Sequence, residues 1–234
     1  MLRHTHYLLV FFAVAFCDDL KRLLLNDQDV LKAKFHQMEL RMQSLESQKL
    51  QLQKGAVYTR WGRKTCPGNG TELVYTGIAG GGDYDHSGAA SDYVCLPHDP
   101  NLITNTAIQN PWGESSFMYG GEYEENILGP KVFNNDVPCS VCYTTHQSVI
   151  LMIPGKSKCY DGWKTEYFGK LVGGSNSARS ASQYACLDNL PEVLEHGSAN
   201  ENGKLFYAVR ARCGSLPCPP YTNNALLTCV VCSK

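Results

Sequence analysis

Ten cysteines follow Gly55 and offer the chain's most obvious chemistry: Cys66, Cys95, Cys139, Cys142, Cys159, Cys186, Cys213, Cys218, Cys229 and Cys232. Four of them form two CxxC pairs, Cys139 with Cys142 and Cys229 with Cys232. Thiolates at this spacing can hold zinc tetrahedrally or exchange disulfides. An even set of ten in a chain that opens like a secreted protein points instead to structural disulfides. Their connectivity cannot be read by counting, because ten cysteines allow about 945 pairings.

Other residues offer less. Asp83, Asp85 and His86 lie in a glycine-rich loop with Asp92 nearby. Carboxylates and loop carbonyls are natural calcium ligands, but the loop lacks the length and terminal Glu of an EF-hand. A solvated turn is the first reading and calcium the alternative. Gly80–Gly82 is followed by no Lys-Ser/Thr, so it is no phosphate loop. No GxSxG occurs, and no triad order is recognisable. We assign no catalytic residue, metal or cofactor. Trp61, Trp112 and Trp163 suit either core packing, the leading reading, or stacking on a ligand. Asn69-Gly70-Thr71 is the only N-glycosylation sequon, and it falls in a predicted turn.

Three segments carry these residues. Residues 1–17 place Arg3 before an apolar run from Tyr7 to Phe16, then the small residues Ala15 and Cys17, then two aspartates. This reads as a signal peptide, with an apolar stretch too short to span a bilayer. Residues 18–54 contain no glycine or proline and repeat every seven residues. One row is Leu24, Leu31, Met38, Leu45 and Leu52; the other contributes Phe35 and Met42 among Lys21, Gln28 and Lys49. This predicts an α-helical coiled-coil stalk whose apolar stripe needs a second chain. Asp27, Lys32, Lys34, Glu39, Arg41 and Glu46 flank the seam and suit solvated or cross-chain positions. Residues 55–234 hold all 21 glycines and all 11 prolines. Short apolar runs such as Glu72–Tyr75, Ser148–Ile153, Leu205–Arg210 and Leu226–Val231 alternate there with turns, which predicts a mostly β, disulfide-rich head.

The head repeats internally, from about 58–145 to about 146–234. Cys66 matches Cys159, Cys95 matches Cys186, and Gly80–Gly81 matches Gly173–Gly174. The stretch Ala90–Leu96 matches Ala181–Leu187. Each copy then passes a tyrosine-bearing strand, Phe117–Tyr119 or Leu205–Tyr207, and ends on a CxxC. Shared order and spacing predict two similar half-domains around a pseudo-twofold axis. Matching cysteines should pair in matching ways, leaving Cys213 and Cys218, which have no counterparts, to pair with each other.

The strings TRWGRKTCP (59–67), ELVYTGIAGG (72–81), SDYVCLPHDP (91–100), MYGGEYE (118–124), DVPCSVCY (136–143) and CGSLPCPPY with LTCVVC (213–232) resemble the C-terminal head of invertebrate short-chain collagen-like proteins. The resemblance covers residues 58–233. It implies an extracellular, oligomeric matrix or body-fluid protein without a catalytic activity. There is no Gly-X-Y tract, so no collagen triple helix forms; the coiled coil occupies the place of that stalk. By analogy with three-chained collagen stalks, a homotrimer is expected over a dimer. Histidines common in the family near positions 80–88 are reduced here to His86.

The formal net charge is −1, so nothing points to nucleic acid, and no membrane span is expected once residues 1–17 are removed. The expected function is non-enzymatic, a structural or adhesive component of extracellular matrix or body fluid. The alternative is a lectin-like recognition protein whose clustered heads gain avidity for a glycan ligand.

Overall fold

Gly55 and the turn residues after it divide two kinds of structure. The computed structural model describes residues 28–49, 55–68, 70–103 and 115–234. The chain separates into two units, residues 1–53 and 54–234. The first holds one helix, α1 (residues 28–49). Its sequence lacks every helix breaker and is rich in Leu, Lys, Gln, Glu and Met, which lose little rotamer freedom in a helix.

The second unit is a mixed sheet of ten strands. They are β1 (Ala56–Trp61), β2 (Thr71–Gly81), β3 (Val94–Pro97), β4 (Tyr119–Tyr123), β5 (Pro138–Thr144), β6 (Ile150–Pro154), β7 (Lys164–Gly173), β8 (Ala185–Asp188), β9 (Lys204–Ala208) and β10 (Thr228–Ser233). The only helical turn described in this unit is a 3-10 turn at Asn126–Leu128. Strands β4 and β10 start later than the sequence runs suggested. Phe117 and Met118 lie outside β4 and are exposed, and Leu226 makes only an isolated bridge to Arg210.

Among the first five strands the order is β1-β5-β2, with β3 and β4 both pairing β2, all antiparallel. Among the second five the order is β6-β10-β7, with β8 and β9 both pairing β7, also antiparallel. In both sets the central strand carries the CxxC and is almost wholly buried. Both long strands bulge at the same place: Val74 is skipped in β2 and Glu166 in β7. Both also need glycine where the next strand crosses closely. A Cβ at Gly77 would collide with the Leu96 carbonyl, and one at Gly169 with the Leu187 carbonyl.

These registers correct one sequence match. Ala79 pairs with Cys95 and Leu171 with Cys186, which sets Gly81–Gly82, not Gly80–Gly81, against Gly173–Gly174. The identical dipeptides tempted alignment one residue early, whereas the ladder fixes which face each side chain takes.

The two sets meet in three places. β1 bridges β8 in parallel at Trp61 and Leu187. β4 runs parallel to β9, and both sets fill one core. In that core the Tyr93 and Phe206 rings lie 4.3 Å apart, with Trp61 and Tyr123 against Phe206. Trp61 is thus a core residue. The corresponding bridge between β6 and β3 is absent among the described residues. Pro154 stands where Trp61 stands in β1, each opposite the first cysteine of its CxxC, and proline has no N–H to donate. β6 therefore remains an edge strand.

Candidate functional site

All ten head cysteines are joined within the chain. Cys66 pairs with Cys142 and Cys95 with Cys139; Cys159 pairs with Cys232 and Cys186 with Cys229. Cys213 pairs with Cys218. The CxxC cysteines do not chelate together because each sits three residues from its neighbour on a strand. Side chains at odd spacing point to opposite faces. Cys139 accordingly enters one apolar cluster and Cys142 the other. Five disulfides suit an oxidising compartment.

The α1 helix presents the other sequence-predicted site. Leu31, Phe35, Met38, Met42 and Leu45 line one stripe and are 58–63% exposed. Leu24 and Leu52 of the same row, Asn69 of the sequon, Trp112 and the signal segment 1–17 lie outside the described residues. Among the described residues, no helix is long and apolar enough to cross a membrane.

The aspartate loop is engaged by protein. Arg179 grips Asp85 through two hydrogen bonds, Nε to Oδ1 at 2.9 Å and Nη2 to Oδ2 at 2.5 Å. The guanidinium holds the Asp85 carboxyl below its usual range. Asp83 accepts the backbone N–H of Asp85. Among the described residues, no group of three or more His, Cys, Asp and Glu side chains is placed to hold a metal ion. Of the other tryptophans, Trp163 is half-buried, with the Lys234 ammonium 5.9 Å from its ring. Among the described residues, Tyr160 and Tyr184 are the most exposed tyrosines.

Several buried polar residues escaped the sequence reading. Glu166, re-aimed by its bulge, receives Ser233 Oγ at 2.6 Å, Lys164 Nζ at 2.9 Å, Thr71 Oγ1 at 3.1 Å and the Tyr58 hydroxyl at 3.2 Å. A carboxylate offers about four lone-pair sites, and four donors occupy them. Burial pushes its pKa up, but the hydrogen bonds from Ser233, Lys164 and Thr71 outweigh it and hold the carboxyl below its usual value. Arg60 on β1 reaches Asp188 on β8, with Nη2 at 2.7 Å and Nε at 2.8 Å from the same oxygen. Lys204 is 2% exposed, and its ammonium donates to the carbonyls of Ser91, Ala181 and Ala90 beneath the Tyr93 ring. Each of these three joins the first set of strands or its loops to the second.

A separate carboxylate cluster is only partly satisfied: Glu122 Oε2 accepts the backbone N–H groups of Glu201 and Asn202. Glu122 Oε1, Glu124 Oε1 and Glu125 Oε2 are buried without a hydrogen-bond partner. Burial and the Glu122 charge raise the pKa values of Glu124 and Asp136. A shallow groove of about 180 Å³ runs between β1 and β6, lined by Tyr58, Trp61, Ile150, Met152, Tyr167 and Tyr184 among others. No protein-family model matches the chain.

Proposed function

We propose that this protein is a secreted, non-enzymatic component of extracellular matrix or body fluid, in which several heads are gathered by a helical stalk. The observation that carries the reading is the α1 stripe: five large apolar side chains, each more than half exposed, on one helix face. Burying one such side chain is worth about 1.5–3 kcal/mol, so a partner surface is strongly favoured. The stalk is a coiled coil, and three chains fit the collagen-like resemblance best.

The head supports the same reading. Its disulfides, shared bulges and shared strand order support the reading of two similar half-domains related by duplication. This is the plan expected of a head like those of invertebrate short-chain collagen-like proteins. Buried charges such as Glu166, Arg60 and Lys204 are used to tie the halves together, which suits a rugged structural unit. Secretion of the natural chain, followed by extraction of the matrix with non-ionic detergent, tests the proposal. Retention in the insoluble fraction, without binding on a glycan array, is the expected result. Recovery of all the protein in the detergent-soluble medium would contradict a structural role.

One observation favours a second reading, a lectin-like recognition protein. The groove between β1 and β6 places the exposed ring of Tyr184 beside Gln183, an aromatic surface of the kind on which a sugar stacks. Reproducible glycan-array binding that is lost in Tyr184→Ala would establish it over the structural role.

A further inference from the structure

The stalk's charges specify its partner more sharply than its apolar row does. The row Leu31, Met38 and Leu45 and the row Phe35 and Met42 form the seam. Two charged rows border it. Lys32, Glu39 and Glu46 follow the first row; Asp27, Lys34 and Arg41 precede the second. The five of these that lie in α1, Lys32, Lys34, Glu39, Arg41 and Glu46, are all exposed. Within the chain, Glu39 lies 3.8 Å from His36, and the other four have no ion-pair partner among the described residues.

In a parallel, in-register coiled coil, a residue preceding the seam on one chain faces the residue five positions later on the next chain. Here that rule yields Asp27 with Lys32, Lys34 with Glu39, and Arg41 with Glu46. All three pairs are opposite in charge. Sliding one chain by a heptad keeps only Lys34 with Glu46 on one side and Arg41 with Glu39 on the other, and it sets Lys34 against Lys32. In an antiparallel arrangement like rows meet: within α1 Lys34 and Arg41 then face only each other's kind, and Glu39 and Glu46 find an opposite charge only at Lys32. Like charges so placed disfavour the pairing.

We propose that the occupant of the α1 apolar face is a second copy of this chain, aligned parallel and in register by the interchain pairs Lys34–Glu39 and Arg41–Glu46. This rests on the oligomeric reading above and adds to it orientation and register. Such an assembly links several heads in one particle, which is what avidity requires.

Two variants of the full chain test it: Lys34→Glu with Arg41→Glu, and Glu39→Lys with Glu46→Lys. Sedimentation equilibrium gives the dissociation constant of each, of the unaltered chain and of an equimolar mixture. Each variant alone now opposes like charges, and its dissociation constant should rise on the order of a hundredfold at low salt. The mixture should regain at least about tenfold, because opposite charges again meet between unlike chains. That rescue also shows that both variants retain a competent helix. Variants that assemble as tightly as the unaltered chain, or a mixture no tighter than its components, overturn the parallel register while leaving the oligomer intact. A monomeric unaltered chain overturns the oligomeric reading itself.

Discussion

Replacing Glu166 by Gln tests whether the buried carboxylate ties the head together. The carboxylate accepts four side-chain donors between 2.6 and 3.2 Å. A glutamine keeps the shape and one acceptor oxygen, but its amide cannot accept from the donors on the other side. About two donors lose their partner, each worth about 1–3 kcal/mol when buried. Lys164 is a third exposed and recovers part of its loss in water, so the net expectation is about 3 kcal/mol. For a unit of this size that lowers Tm by about 6–12 °C.

The pH dependence is equally specific. The folded-state pKa of Glu166 is depressed. Its contribution is therefore complete above the unfolded carboxyl value of about 4.3 and is lost as pH falls through the lower, folded value. Urea unfolding of both proteins, disulfides intact, should show a constant stability gap from pH 7 to about 5 that closes below about 4. A gap under about 1 kcal/mol, or one that persists undiminished to pH 3, would refute the carboxylate network.

Further outcomes follow from the same geometry. Glu124→Gln should leave stability at pH 7 unchanged or raise it, because burial and Glu122 already disfavour the Glu124 charge; a marked loss in urea unfolding would count against that. Replacing both Cys66 and Cys142 by Ser opens a closure of 76 residues and should cost about 4 kcal/mol. The same change at Cys213 and Cys218 opens only five and should cost about 2 kcal/mol, so equal losses by denaturant titration would contradict the chain-entropy account. Enzymatic deglycosylation of protein secreted from eukaryotic cells should shift its gel mobility through Asn69, and an unchanged band would remove the glycan.

What was legible in the sequence was what is local or periodic. The heptad row of Leu31, Met38 and Leu45 declares itself every seven residues, and α1 follows. The mostly β character of the head was visible in its short apolar runs between turns. Matching cysteines in matching contexts gave the pairing pattern, and the leftover Cys213 and Cys218 found each other. The single-residue error at Gly80–Gly81 arose because a dipeptide identity says nothing of strand register. Glu166, Arg60 and Lys204 stayed hidden because their partners lie far along the chain. Ser233 is 67 residues from Glu166, and Asp188 is 128 from Arg60. A charged residue within the apolar strand Lys164–Gly173 was the one available signal, and it names no partner.

The central claim is that heads are gathered through the stripe on α1. Multi-angle light scattering on the full secreted chain, beside Leu31→Asp with Leu45→Asp, tests it most directly. The account predicts three chain masses for the natural protein and a lower mass or weakened assembly for the variant. A single chain mass for the natural protein, or an unchanged mass for the variant, would contradict it.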